Sequence, residues 1–218
     1  MYLRYRLLLL QTGSKRYANI FRIIYRNRYR RIVEIGTWNG VHAAQMIQTA
    51  AVHHLVKDIS YFGFDLFEDL TDDELRREFS KRPASYKDVR RRLELTGANI
   101  HLYKGNTKVT LPQAIEHIGW ADLIFIDGGH SIETITSDWN AVKTIMERNT
   151  TVIFDDYYSN KEPEVLGVGC QALIEELDRQ LYEVEIVQPT DAFVKEWGIL
   201  RVNMVYVTMR HRNDGKAF

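Results

Sequence analysis

The stretch Val33-Glu34-Ile35-Gly36-Thr37-Trp38-Asn39-Gly40 decides how this chain is read. Val33 and Ile35 are β-branched and fall in a strand predicted over 32–35, Gly36 and Gly40 bracket a turn, and residues 41–54 have helical character. A strand that passes through a glycine-containing turn into a helix is the opening unit of a parallel α/β sheet. In such sheets the first turn is where a nucleotide-type ligand sits. Spacing then discriminates between ligands. Dinucleotide folds place Gly-x-Gly-x-x-Gly after the first strand, whereas this chain has Glu34-x-Gly36-x-x-x-Gly40, with Trp38 where a middle glycine stands in many such loops.

Working outward, β-branched and aromatic runs alternate with segments of helical period, as a parallel sheet covered by helices requires. Strands are predicted over 61–65, 100–103, 123–127, 151–154, 184–187 and 204–209, and helices over 111–118, 131–146 and 170–181. Residues 123–127 are apolar until Asp127, the mark of a strand buried on both faces. The chain reads as one α/β domain over 31–218. A basic helical arm or lid precedes it over 1–30, and a charged helical insertion interrupts it at about 68–95, broken by Pro83. Ser14 is the predicted N-cap of the arm's helix, with Ala18, Ile20, Phe21, Ile24 and Tyr25 on its apolar face.

Twenty-nine basic and twenty-nine acidic residues cancel, so overall charge argues neither for nucleic acid nor for an acidic membrane surface. The distribution is uneven at the start. Residues 1–31 hold no Asp or Glu but carry Arg4, Arg6, Lys15, Arg16, Arg22, Arg26, Arg28, Arg30 and Arg31. The ordinary reading is the solvated face of an amphipathic helix, and recognition of an anionic substrate is the other. Cys170 is the only cysteine, which excludes an internal disulfide and suits a reducing, cytoplasmic setting. The apolar run 7–10 is too short for a signal-peptide core, and no stretch approaches a membrane span.

Three predicted strands end in carboxylates: Asp65, Asp127 and the pair Asp155-Asp156. One Asp after a strand is commonly a turn or cap residue. Several at the carboxyl ends of a parallel sheet gather around one crevice with the Gly36 loop. Asp65 is placed to accept hydrogen bonds from ribose hydroxyls, Glu34 to lie beneath the amino-acid end of a cofactor, and Asn106 to meet an adenine edge. A tight turn at Gly105-Asn106 explains that pair almost as well. Asp127, Asp155 and Asp156 are hard oxygen donors suited to Mg2+, although one of the adjacent pair can equally face solvent or cap a helix. His130, three residues beyond Asp127, is the candidate general base.

Together, 33–40, Phe64-Asp65-Leu66-Phe67-Glu68, Lys104-Gly105-Asn106 with Thr110-Leu111-Pro112, Ile126-Asp127-Gly128-Gly129-His130 and Ile153-Phe154-Asp155-Asp156-Tyr157 resemble class I S-adenosylmethionine-dependent methyltransferases. The likeness is greatest to the macrocin and mycinamicin O-methyltransferase-like group and runs from about residue 31 to 157. It implies a Rossmann-like fold, a mostly parallel seven-stranded sheet with helices on both faces and an antiparallel last strand. It also implies S-adenosylmethionine as methyl donor and Mg2+ or another divalent cation that holds a substrate hydroxyl pair. By position, Glu34, Gly36, Thr37, Gly40, Asp65, Asn106 and Asp127 correspond to the cofactor site, Asp127, Asp155 and Asp156 to the metal ligands, and His130 to the base. Gly129 stands where some relatives have a second carboxylate.

The expected activity is methyl transfer to a hydroxyl of a small molecule, a sugar or glycosylated metabolite, by a dimer or larger homo-oligomer with no nucleic-acid or membrane partner. Two alternatives stand beside it. One is a nicotinamide-dependent oxidoreductase, opposed by the glycine spacing and by carboxylates where a pyrophosphate would sit. The other is a non-catalytic cofactor-binding module, opposed by the intact Asp127, His130, Asp155 and Asp156 set.

Overall fold

Alternation of side chains along each strand builds two cores, one on each face of a single sheet. The computed structural model describes residues 2–10, 14–78, 81–160, 165 and 167–210. Its strands are β1 (Arg31–Ile35), β2 (Ser60–Asp65), β3 (Asn99–Lys104), β4 (Leu123–Ile126), β5 (Thr151–Tyr158), β6 (Tyr182–Lys195) and β7 (Gly198–Met209). They lie in the order β3-β2-β1-β4-β5-β7-β6. Strands β1 to β5 pair in parallel, and β7 runs antiparallel to both β5 and β6. This is the Rossmann-like methyltransferase sheet expected, with its antiparallel last strand. The order reverses between β1 and β4, and a crevice opens there at the carboxyl ends.

The helices are α1 (Tyr2–Leu10), α2 (Ala18–Asn27), α3 (Val41–Ala50), α4 (Asp72–Arg77), α5 (Tyr86–Glu94), α6 (Thr107–Ile118), α7 (Ile132–Val142) and α8 (Gln171–Glu176). On one face Val33, Ile35, Ile124, Ile126, Val152 and Phe154 meet Leu111 of α6, Trp139 of α7 and Leu173 of α8. On the other, Ile32, Leu123, Phe125 and Ile153 meet Phe21 and Ile24 of α2, Met46 of α3 and Val89 of α5. Burial of β4 on both faces explains why its four residues are all apolar.

The arm is more integrated than an appendage to the core. Ile20, Phe21 and Ile24 are fully buried while Arg22, Arg26, Arg28 and Arg30 face solvent, the amphipathic pattern read from sequence. Arg16 is the exception and is buried. Ser14 makes no side-chain cap; a short 3-10 turn over Lys15–Tyr17 leads into α2 instead. The charged insertion divides into α4, started by a Thr71–Glu74 capping box, and α5, capped by Ser85, with Pro83 between them.

The strand bounds expected near the end of the chain were too short. β6 continues past Val187 to Lys195 through a register shift before Asp191, and β7 begins at Gly198 rather than 204. β5 likewise continues past Phe154 with a bulge between Phe154 and Tyr157, where Asp156 takes a left-handed φ of 55°. The bulge turns adjacent Asp155 and Asp156 in different directions. Helices expected over 131–146 and 170–181 end earlier, at Val142 and Glu176, the first continuing as a 3-10 turn over Lys143–Ile145. Among the described residues no helix is long and apolar enough to cross a membrane.

Candidate active site

The crevice at the switch point has a volume of about 500 Å3 and is lined by Glu34, Gly36, Thr37, Asp65, Asn106, Asp127, His130 and Asp156 among others. Of the residues expected at the site, Gly40 and Asp155 are not on its walls. Gly40 caps α3 with a left-handed φ of 72°, and a Cβ there would lie 3.0 Å from Val89 Cγ1, so its role is packing beneath α5.

Gly36 is required by close approach. Its φ is 92°, and a Cβ would lie 2.1 Å from the Asp127 carbonyl oxygen. Its amide donates to the Phe64 carbonyl at 2.9 Å, which ties the loop to β2. Asp65 then organises that loop: Oδ2 accepts from the Trp38 amide at 2.7 Å and Oδ1 from the Phe67 amide at 2.8 Å. Burial raises its pKa, and these donors oppose the rise. Each oxygen keeps a second lone pair for a ligand hydroxyl.

Trp38, at φ 49°, turns its ring toward the insertion. Its indole N–H donates to the Arg82 carbonyl at 2.9 Å, its carbonyl accepts from the Ala84 amide at 3.2 Å, and the Lys81 ammonium sits 5.6 Å from its ring centre. The residue that breaks the glycine pattern therefore fastens the segment around Pro83 to the cofactor-type loop.

Glu34 is buried and accepts a hydrogen bond from the Tyr61 hydroxyl, which also lies 3.3 Å from Thr37 Oγ1. Burial pushes the Glu34 carboxyl up to about 8, the Tyr61 donor opposes the shift and the nearby Asp65 charge adds to it. Asn106 caps α6 by accepting from the Lys108 amide at 2.9 Å, so its oxygen performs the turn role while the residue also lines the crevice.

Deeper in the crevice, His130 Nε2 and Asp156 Oδ2 are 2.8 Å apart. Burial works against protonation of His130, but the Asp156 carboxylate outweighs it, helped by Asp155 and Glu78, and raises the pKa above 6.5. Asp127 is also raised, by burial and then by the Asp155 and Asp156 charges, while Tyr17 donates to its Oδ2 at 2.7 Å.

Three contributors escaped the sequence reading. Arg16 places Nε 2.6 Å from Asp155 Oδ1 and Nη2 2.7 Å from Asp155 Oδ2, with Nη1 3.1 Å from Asp191 Oδ2. Tyr17 bridges Asp127 and Asp155 and stacks on His42 at 4.2 Å. Glu78 of the insertion accepts from the Ser131 amide, the Ser131 hydroxyl and the Thr134 hydroxyl, placing a carboxylate at the N-terminus of α7. The one available signal was a basic, acid-free arm paired with unpaired carboxylates far along the chain.

A divalent ion held by Asp127, Asp155 and Asp156 needs oxygens free to coordinate. As the side chains stand, both oxygens of Asp155 accept from one guanidinium, whose positive charge opposes a second cation beside it. Asp127, His130 and Asp156 each bring one donor atom to within 4.8 Å of the others, yet Asp127 Oδ2 already accepts from Tyr17 and Asp156 Oδ2 pairs with His130. The three-carboxylate set does not fit the ion in this arrangement.

A family model described as a methyltransferase domain matches residues 33–157. No curated protein matches the chain. Among solved structures, the O-methyltransferase NovP is 21% identical with a TM-score of 0.63, covering 90% of this chain and 80% of its own. The O-methyltransferase TomG from Streptomyces achromogenes, in complex with SAM, is 15% identical with a TM-score of 0.60, covering 91% and 82%. The O-methyltransferase from Bacillus cereus, in complex with SAH, is 15% identical with a TM-score of 0.61, covering 92% and 83%. The glycine turn, Asp65 at the end of β2, Asp127 after β4 and Asp155-Asp156 within β5 all lie within the matched span, and the chain belongs to the methyltransferase-domain family.

Proposed function

We propose that this chain transfers a methyl group from S-adenosylmethionine to a hydroxyl of a small molecule, a sugar or glycosylated metabolite, in the manner of the macrocin and mycinamicin group. The observation that carries the reading is the His130–Asp156 pair opening into the same crevice as Gly36 and Asp65. When bound, the donor supplies an electrophilic sulfonium methyl. Asp65 would accept from its ribose hydroxyls, and Asn106 would hold its base. A crevice of about 500 Å3 suits a ligand of nucleoside size with room for an acceptor.

Catalysis is mainly positioning, with one proton to remove. Asp156 holds His130 through Nε2 and stabilises the imidazolium that forms, while Nδ1 is the nitrogen left to take the hydroxyl proton. The acceptor is recognised by the arm, the insertion and the segment after β5, of which residues 11–13, 79–80, 161–164 and 166 lie outside the described residues. The oxidoreductase reading gains no support, because Asp65, Asp127 and Asp156 line the crevice where a pyrophosphate would have to sit.

The test is a pH profile of methyl transfer. A base must be neutral to accept a proton, and the His130 pKa is raised, so kcat/KM should rise with pH through an acid limb above 6.5. His130→Gln should lower kcat by roughly 100-fold or more and abolish that limb. An unchanged rate and profile would remove His130 as the base.

A further inference from the structure

The carboxylate cluster already contains a cation. Arg16 lies 139 residues before Asp155 in sequence, yet its guanidinium forms a two-pronged pair with that carboxylate and reaches Asp191 with its remaining nitrogen. The Asp156 carboxylate lies 3.9 Å from the same group. The Arg16 amide also donates to Asp191, at 3.3 Å, and the Lys15 amide does so at 3.0 Å, so the backbone of the arm is fixed along with the side chain. The Arg16 side chain is 8% exposed and that of Asp155 is 1% exposed.

Both carboxylates are delivered by irregular strand positions: Asp155 by the bulge in β5, Asp191 at the register shift in β6. Two separate strand distortions meeting one side chain of the arm make a built cation site. Adjacent buried carboxylates repel unless a positive charge lies between or beside them. In this chain that charge is covalently attached. A planar guanidinium satisfies a carboxylate with two parallel, directional hydrogen bonds, which the point charge of a lysine does not reproduce.

We propose that Arg16 is the resident cation of this crevice: locked between Asp155 and Asp191, its guanidinium holds the carboxylate cluster in place of a divalent metal ion. Tyr17, carried on the same 3-10 turn, is thereby set against Asp127. Arg16 is a positioning residue: through Asp155 and Tyr17 it fixes the crevice-lining Asp127 and Asp156. The inference deepens the proposed function and rests on this crevice being the methyl-transfer site.

The test is a titration of the purified, chelator-treated protein with Mn2+, reading free ion by electron paramagnetic resonance with no substrate present. Wild type should bind no stoichiometric Mn2+ at micromolar concentrations. Arg16→Gln should bind one ion at least about tenfold more tightly than wild type, and adding Asp155→Asn should abolish that gain. Arg16→Lys, which keeps a positive charge, should not acquire it. One Mn2+ bound by wild type and lost in Asp155→Asn overturns the proposal, as does a folded Arg16→Gln protein that gains no binding. If Arg16→Gln does not fold, the wild-type titration decides. Calorimetry with S-adenosylmethionine on the same wild-type sample separates the two readings: absent cofactor binding with the Mn2+ pattern intact refutes the methyl-transfer reading and leaves the assignment of Arg16 standing.

Discussion

Arg16→Ala is expected to cost about 3–5 kcal/mol of folding stability, measured as a shift in the urea midpoint at neutral pH. The magnitude follows from what is left behind. Asp155 loses both of its guanidinium hydrogen bonds while remaining buried, and Asp191 loses one. An ion pair of this kind adds little compared with an apolar pair of the same shape, but removing one partner strands the other charge. Asp155→Asn in the alanine background should therefore recover part of the loss, since a neutral amide no longer needs a counter-charge. Against a typical domain stability of about 5–15 kcal/mol, the single variant would sit near the limit of folding at body temperature. A loss below about 1 kcal/mol would mean that the pair behaves as a solvated surface bridge.

Gly36→Ala should be as damaging, for a steric reason. The new Cβ would lie 2.1 Å from the Asp127 carbonyl oxygen and 2.8 Å from Gly128 Cα, both backbone atoms that no rotamer change can move, and φ is 92°. Strain and overpacking each cost about 1–3 kcal/mol, so a combined loss of roughly 2–6 kcal/mol is expected together with loss of cofactor binding. Gly40→Ala is the control. Its Cβ would meet Val89 Cγ1 at 3.0 Å, a side-chain atom that can yield, and its φ of 72° is nearer the left-handed well. It should cost about 1–2 kcal/mol and leave binding measurable. Equal behaviour of the two alanine variants would show that the loop does not depend on the approach of Gly36 to Asp127.

What the sequence made legible was whatever depends on local pattern. β4 could be read because four consecutive apolar residues ending in an aspartate are a strand buried on both faces, and the same argument placed Asp65 and Asp127 at one rim. His130 followed from its place on the loop after β4. Asn106 showed the limit of residue type: an amide suited to an adenine edge is equally suited to capping α6, and its oxygen does the latter.

What stayed hidden depends on distant partners or on backbone irregularity. Nothing in the periodicity of residues 14–25 distinguishes Arg16 from the exposed arginines that follow, because its partners, Asp155 and Asp191, are brought near only by the folded sheet. Consecutive aspartates suggested one shared ligand. The bulge in β5 sends them apart, Asp155 to the arm and Asp156 to His130. Pro189, Thr190 and Asp191 have the composition of a turn, which masked the continuation of β6 through its register shift. The side-chain direction of Trp38 was beyond any pattern argument, since it is set by bonds to the segment at 82–84.

The Gly36 and Asp65 crevice is proposed to hold a methyl donor. Isothermal calorimetry of the full chain against S-adenosylmethionine, S-adenosylhomocysteine and NAD tests it directly. One-to-one binding of the first two, weakened at least about tenfold by Asp65→Ala, is the predicted result; binding of NAD with neither of the others bound would contradict it.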